Sequence, residues 1–313
     1  MHLEKDFTAQ TIHLKDDYEG KVVATLVSCN QNTGTRKSII YIHGYIDYFF
    51  HPHVAERFIQ NEFDFYALDL RKYGRSLLSY QRENYCKSIT EYFEEISLVI
   101  NQIYEKGNSD IYLFGHSTGG LVAANYANFG EEKDKVSGLI LNSPFLDFYE
   151  GEFKKNIILA ACNTLTLFSD YAYINNMLSS VYVQSIHKKY KGEWDFNLKW
   201  KYTQGFPTYF KWVLAIHEAH ERLRKYSNLQ IPVLVMHSSA STKLSKFSEE
   251  AYRKDIVLDV EDIKTRGANL GSKVTLLEVE NAMHDIFLSP KAVREQAFKD
   301  MFGWLKIKAV VID

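Results

Sequence analysis

Cysteine is scarce: Cys29, Cys86 and Cys162 are the only three in 313 residues, far apart, with no C-x-x-C pair and no histidine at ligand spacing. That excludes a disulfide framework and a local zinc motif, and leaves three scattered core thiols. An excess of either charge is also lacking. With 37 Lys plus Arg against 39 Asp plus Glu, the formal net charge is −2 and the pI near 6.6. No basic field gathers phosphates, so nucleic-acid binding has no compositional support. The opening MHLEKDFTAQ shows no cationic start followed by an apolar run; no secretory signal is visible and a cytoplasmic location is expected. Long hydrophobic runs are missing too. The longest uncharged apolar stretch, 156–169 (NIILAACNTLTLFS), falls short of the roughly 18 residues that a membrane span needs, though it suffices to lie in an interface.

What is present is an apolar chain: 46% hydrophobic residues at small net charge is the opposite of a disordered or acidic-tail composition. The length allows one large domain or two small ones, with roughly three quarters of the unfolded surface buried. Short β-rich runs end in Gly, Asp or Ser clusters and alternate with helix-like stretches, which predicts an α/β fold with a mostly parallel central sheet and helices on both faces. Residues 7–13 and 22–28 read as an N-terminal antiparallel pair turned by Asp16, Asp17 and Gly20. The runs 37–43 (KSIIYIH), 63–70 (FDFYALDL), 110–116 (DIYLFGH), 138–142 (GLILN), 232–237 (PVLVMH) and 273–279 (KVTLLEV) have the character of buried parallel strands. Between them, 87–106 places Ile89, Tyr92, Phe93, Ile96, Val99, Ile100 and Ile103 at three- and four-residue spacing, a helix with one apolar face. A second such helix is predicted over 290–304, with Ser289 as N-cap and Pro290 at its first position.

The alternation breaks after about Leu146 and resumes after Asn228. In between, the pattern is helical and rich in aromatics, from Phe148 and Phe153 to Phe210 and Trp212. An insertion of that length is far beyond an ordinary connection of about four to six residues. The expected organisation is therefore a discontinuous core, 1–146 plus 229–313, with a helical lid at 147–228 inserted between core strands.

The strand 110–116 runs straight into Gly115-His116-Ser117-Thr118-Gly119-Gly120 and then a helix-like LVAANYANF. A G-x-S-x-G alone is weak, but strand, sharp turn and helix are the context in which a serine hydroxyl is exposed at the carboxyl end of a sheet. Such a hydroxyl needs a base to take its proton. Of the 11 histidines, His284 is the one that follows the last predicted strand and precedes the C-terminal helix, which puts it on a loop at the same sheet end. An oxyanion hole needs two backbone N–H groups; Thr118 is expected to give one, and Tyr45, after His43-Gly44, the other. The Tyr45 side chain either shapes the pocket or packs against the lid.

With these residues in view, the chain resembles the α/β-hydrolase superfamily, and within it serine hydrolases similar to monoacylglycerol lipases, lysophospholipases and serine aminopeptidases. The pieces that carry the resemblance are YIHGYIDY (41–48), LDLRKYGRS (68–76), LFGHSTGG (113–120), PVLVMHS (232–238) and AMHD (282–285), in the family's order. The resemblance implies that Asp69 and Arg71 are structural. It also implies an aspartate that orients His284, normally in a Gly-x-x-Asp just after the strand matching 232–237. Here that register reads Ser238-Ser239-Ala240-Ser241. Asp255, in Asp255-Ile256-Val257-Leu258-Asp259, looks like the family's Asp-x-Val-x-Pro and is the expected acid, with Asp259 and Asp262 as alternatives.

The resulting expectation is a serine hydrolase with Ser117 as nucleophile, His284 as base, Asp255 as orienting acid, and no metal or organic cofactor. The aromatic lid favours a small-molecule or lipid-like ester with an apolar acyl or alcohol group, of monoacylglycerol or lysophospholipid type. Small carboxylesters stand close behind. A serine aminopeptidase would need lid carboxylates for the substrate amine, and Glu150, Glu152, Asp170, Glu193 and Asp195 are available. A non-catalytic binding protein of the same fold has only the missing Gly-x-x-Asp in its favour. The 156–169 stretch suits transient contact with a membrane surface as well as packing on the core. His217-Glu218-Ala219-His220 lacks H-E-x-x-H spacing and reads as a polar helix face, and His51-Pro52-His53 as a surface loop. Nothing in the sequence fixes an oligomeric state.

Overall fold

The computed structural model describes residues 6–175, 179–204 and 206–309. Eight strands form one sheet: β1 (Phe7–His13), β2 (Val23–Cys29), β3 (Lys37–Ile42), β4 (Asp64–Asp69), β5 (Asp110–His116), β6 (Val136–Asn142), β9 (Val233–Ser238) and β10 (Val274–Val279). Their order is β1-β2-β4-β3-β5-β6-β9-β10, with β1–β2 and β2–β4 antiparallel and every other pair parallel. The sheet arises where short β-branched and aromatic runs were expected, because strands covered on both faces must be apolar throughout.

Side-chain alternation sends successive residues to opposite faces. Ile40, Ile42, Leu113, Leu139 and Val235 join one cluster with α2 (Phe93–Tyr104) and α3 (Thr118–Phe129). Ile39, Tyr41, Phe114, Ile140 and Met236 join the other with α1 (Pro52–Gln60) and α8 (Lys291–Ala309). Each large aliphatic side chain removed from water in this way contributes about 1.5–3 kcal/mol before entropy is counted. The predicted 87–106 helix starts with a capping box, Ser88 with Glu91, and its apolar face is buried as the periodicity requires. At α8 the expectation needs correcting. The helix begins at Lys291, and Ser289 Oγ, instead of capping it, accepts the Met283 N–H at 2.9 Å.

Between β6 and β9 lie α4 (Glu152–Thr166), a two-stranded ribbon of β7 (Tyr173–Asn175) and β8 (Pro207–Tyr209), α5 (Val181–Ile186) and α6 (Phe210–Tyr226). Trp212, Val213, Ile216 and Leu223 of α6 enter the main core cluster, and α4 packs on α6 through Leu159 and Cys162. Asp147 pins the stem of this region, accepting from Lys155, Arg224 and Arg266. Cys29, Cys86 and Cys162 are free and buried.

The strand order reverses around β3, with β4 on one side and β5 on the other. A crevice opens outside the carboxyl ends of strands at such a switch point, where the loops diverge. The segments leaving β3 and β5 there begin at His43 and Ser117.

Candidate active site

Ser117 joins β5 to α3 with φ 53° and ψ −118°, a conformation that costs on the order of 1–3 kcal/mol for a residue with a side chain. The surroundings hold it there. Its N–H donates to the Asn142 carbonyl at 3.0 Å, and its own carbonyl accepts from Gly120, Leu121 and Phe145. The flanking glycines are required by close approach: a Cβ on Gly115 would lie 2.4 Å from the Gly119 carbonyl oxygen, and one on Gly119 2.2 Å from that of Ile42. The α3 backbone therefore sits directly on the β3 and β5 ends, with its N-terminus at Ser117.

His284 follows β10 on a loop tied down by serines. Ser238 Oγ donates to the Ala282 carbonyl at 2.6 Å, and the Asn281 N–H donates to Ser239 Oγ at 3.2 Å. The imidazole Nδ1 lies 2.8 Å from Asp255 Oδ2, both groups buried. Asp255 reaches that point by a detour. The chain leaves β9, makes an excursion through residues 243–254, and returns so that the Asp255 N–H donates to the Ala240 carbonyl and the Asp255 carbonyl accepts from the Thr242 N–H, each at 2.9 Å. The second carboxylate oxygen, Oδ1, accepts the N–H groups of Val257 and Leu258. A carboxylate thus arrives beside the β9 end although that register holds only serines and alanine. Asp259 caps α7 (Val260–Ala268) by accepting the Glu261 N–H, and burial, with Asp147 and Asp259 nearby, raises the carboxyl of Asp262.

The loop after β3 is fixed from behind. The Leu70 N–H donates to His43 Nε2 at 3.0 Å, so the ring proton sits on Nδ1 and is given to the Gly44 carbonyl at 2.8 Å. Because the peptide is trans, holding the Gly44 C=O against His43 turns the Tyr45 N–H the other way. The Tyr45 ring stacks on Trp212 with centroids 4.0 Å apart and also lines the cavity.

Ser117, Thr118, Tyr45 and His284 share the wall of one cavity of about 360 Å³, with Asp255 behind His284. Its other lining is mostly apolar and aromatic, from Phe145, Phe148, Tyr182, Phe206, Trp212 and Leu244 among others. Residues 33–291 match the sequence model of the family described as serine aminopeptidase, S33 (Hydrolase_4). The chain belongs to this family. Over 125 residues it is 34% identical to an uncharacterised protein of Acanthamoeba polyphaga mimivirus, a match that spans 38% of this chain and 42% of that protein. Among solved structures it is similar to a soluble variant of monoglyceride lipase from Saccharomyces cerevisiae in complex with a substrate analogue (TM-score 0.69, 19% identity, covering 96% of this chain and 97% of that one). It is also similar to the Paleococcus ferrophilus monoacylglycerol lipase (0.67, 21%, 88% and 95%) and to a carboxyl esterase from Bacillus coagulans (0.66, 14%, 96% and 98%). At these identities the shared property is the fold, an α/β-hydrolase fold in this S33 member.

Several polar residues of this S33 chain escaped the sequence reading. His51 and His53 are no surface loop: His51 is buried with Nε2 3.0 Å from Asp285 Oδ2, and His53 Nε2 donates to the Phe287 carbonyl at 3.0 Å while its ring stacks on Trp194. His220 is likewise no part of a polar face. It is buried, donates Nε2–H to the Phe145 carbonyl at 2.8 Å, and burial lowers it to about 4. Lys201 and Asp47 form a buried pair at 2.9 Å on the cavity wall; burial opposes the Asp47 charge, but Lys201 and the nearby histidines keep its carboxyl below the usual range. A histidine followed by aspartate was the one visible hint of Asp285. Asp69 accepts from the Phe49 N–H and Arg75, and Arg71 pairs with Glu94 and Glu95, roles that position the β3 loop and α2.

Proposed function

We propose that the protein is a serine hydrolase that cleaves carboxylic esters with an apolar acyl or alcohol group through an acyl-enzyme. The observation that carries this reading is a strained Ser117 and an Asp255-supported His284 opening on one apolar cavity. Ser117 Oγ attacks the ester carbonyl while His284 Nε2 takes its proton; Asp255 holds the proton on Nδ1 and offsets the imidazolium charge. The N–H groups of Tyr45 and Thr118 receive the oxyanion, aided by the positive end of α3. His284 then protonates the leaving alcohol, and water releases the acid by the same steps in reverse. Every proton and charge in this scheme is handled by groups of the chain and by water.

Carboxylate pairing favours esters over aminoacyl substrates. An α-ammonium needs a free carboxylate near the scissile bond, and the two that line the cavity are engaged, Asp47 by Lys201 and Glu150 by Lys154 and Lys243. The other candidates pair as well: Glu152 with Lys155, Asp170 with Lys87, Glu193 with Arg294 and Asp195 with Lys188. The apolar lining suits an acyl chain, which supports monoacylglycerol-like or lysophospholipid-like esters ahead of small carboxylesters. Phe153 is 82% exposed and Leu167 and Phe168 are each 83% exposed at the outer side of the insert, an apolar surface that fits docking on a lipid aggregate. Among the described residues no helix is long and apolar enough to cross a membrane.

Labelling by a fluorophosphonate, beside a chain-length series of chromogenic esters and a set of aminoacyl-arylamides, tests the proposal. The expected result is labelling that Ser117→Ala abolishes, with ester turnover down about a million-fold and a preference for longer acyl chains. Undiminished labelling of Ser117→Ala overturns it, and absence of all labelling in the native protein favours a binding protein.

A further inference from the structure

The loop after β3 passes close to the nucleophile: a Cβ on Gly44 would lie 3.2 Å from the Ser117 Cβ. Upstream this loop is held from the core, by the contact of His43 with the Gly44 carbonyl. Downstream it is held from the insert. The side chains of Asp47 and Lys201 are 1% and 4% exposed, and Lys201 Nζ stands 2.9 Å from Asp47 Oδ1, the oxygen that also accepts the Tyr48 N–H at 2.9 Å. The Tyr48 hydroxyl in turn accepts the Asn197 N–H at 2.6 Å, and the Lys201 N–H donates to the Asn197 carbonyl at 3.0 Å. One turn of the insert, 197–201, thereby grips two consecutive residues of the loop.

Two residues, Tyr45 and Ile46, separate these holds. Ile46 has φ 52°, the left-handed region in which a β-branched residue is strained. Such a conformation persists only where the flanking chain over-determines it. The stack on Trp212 holds the Tyr45 ring, but a ring contact leaves the peptide plane, and so the direction of the N–H, to the backbone on either side. Stability does not explain why an ion pair fills this place. Burying two charges is costly, and apolar side chains of the same volume would hold the insert about as well. What the pair adds is direction: Lys201 and the Tyr48 N–H fix one carboxylate oxygen at one point, and with it the chain immediately beyond Ile46. Burial opposes the Asp47 charge, and Lys201 is the foremost group that keeps it.

We propose that Lys201, acting through Asp47, is a positioning residue for the oxyanion hole: the insert fixes the loop so that the Tyr45 N–H faces the carbonyl oxygen of an ester on Ser117. This rests on the reading of Ser117 as nucleophile and of Tyr45 as a donor, and it gives the insert a part in the chemical step as well as in binding. Without Lys201 the Asp47 carboxylate turns to other donors, Ile46 relaxes out of the left-handed region, and the Gly44–Tyr45 peptide that carries the N–H shifts with it. The loss falls on kcat, because that donor matters most when the oxygen becomes negative and little to the ground-state carbonyl. Both side chains stand on the cavity wall, yet neither has to touch the substrate to act in this way.

The test is the steady-state kinetics of Lys201→Met and Lys201→Arg on a dissolved chromogenic ester and its thionoester, at a temperature where circular dichroism shows each variant folded. A thionoester puts a weakly accepting sulfur in the hole, so its hydrolysis draws little on the N–H donors. Lys201→Met is expected to lower kcat on the ester about 30- to 100-fold, the scale of a misplaced or lost donor. KM stays within about twofold and the thionoester rate falls far less, as a donor felt only in the transition state requires. Lys201→Arg, which keeps a cation for Asp47, recovers most of the loss. A folded Lys201→Met with native kcat, a rise in KM alone, or an equal loss on both esters overturns the proposal and leaves the pair a fastening of the insert or a contact to the substrate. Should Lys201→Met not fold, its double variant with Asp47→Asn, which leaves no charge unpaired and keeps an oxygen for the Tyr48 N–H, decides by the same readouts. Native protein that cleaves neither ester and takes no fluorophosphonate label removes the reading of the site itself, a failure distinct from all of these.

Discussion

The two walls of the cavity are built by opposite means. On the core wall polar groups are held by fixed partners, as Asp255 is by His284 and the Gly44 carbonyl by His43. The wall contributed by the segment between β6 and β9 is rich in rings, among them Phe148, Tyr182, Phe206 and Trp212, and the two halves of that segment do not share a fate. The later half is bolted down: Lys201 to Asp47, the Asn197 N–H to the Tyr48 oxygen at 2.6 Å, and Trp194 Nε1–H to the Leu288 carbonyl at 2.9 Å. The earlier half, around α4, turns Phe153, Leu167 and Phe168 to solvent. Aromatic content therefore says where apolar contact is made available, and polar bolts say which of it the chain itself uses.

If the core wall carries the chemistry, Asp255→Asn lowers turnover by about four orders of magnitude with an unchanged circular dichroism spectrum, as expected when the tautomer of the base is lost. Asp259→Asn, at a helix cap, costs about 1 kcal/mol or less and leaves turnover intact. The reverse ranking would break the contrast at its strongest point. On the insert wall, Lys201→Met leaves Asp47 buried without its cation, and the melting curve should register a loss of about 3–5 kcal/mol. A cost below about 1 kcal/mol would mean that the later half is held by packing alone.

Acid weakens the fold as well. Burial lowers His53 to about 3 and His116 and His220 to about 4. Between those values and the ordinary 6.5 the unfolded chain binds more protons than the folded one, so stability rises with pH there. The contribution is whole above about pH 6.5 and is lost as pH falls toward 4, at about 3 kcal/mol for a histidine moved that far. Urea melts at pH 7.5 and 4.5 check this, and equal stability at both would refute it. The smallest effect belongs to the exposed half. Leu167→Ser with Phe168→Ser changes stability by about 0.5 kcal/mol or less and leaves hydrolysis of a dissolved short ester unaltered, while hydrolysis of ester in vesicles drops several-fold. Equal losses on both substrates would assign those side chains to the cavity.

Most of the sheet was legible because buried parallel strands are continuous apolar runs, and Ser117 because its turn imposes glycines on both sides. His284 was legible from strand, loop and order. Asp255 could be reached only through resemblance, since the excursion over 243–254 erases the usual spacing after β9. His51, Asp285 and Lys201 were misread or missed for one reason: their partners lie far away in the chain, and a buried ion pair or clasp leaves no period or local motif. A histidine between aromatic residues looks the same in a loop and in a core.

The excursion before Asp255 has a consequence for change in this protein. Its base is closed by the backbone bonds of Ala240 and Thr242 to Asp255, so chain added or removed between those points alters a bight whose neck is already tied. Lengthening such a bight costs little, because closure entropy grows only with the logarithm of its length. Lys243 and Leu244 of the same bight stand on the cavity rim. The rim can thus be re-cut, by evolution or by grafting, without disturbing the acid that stands at the knot.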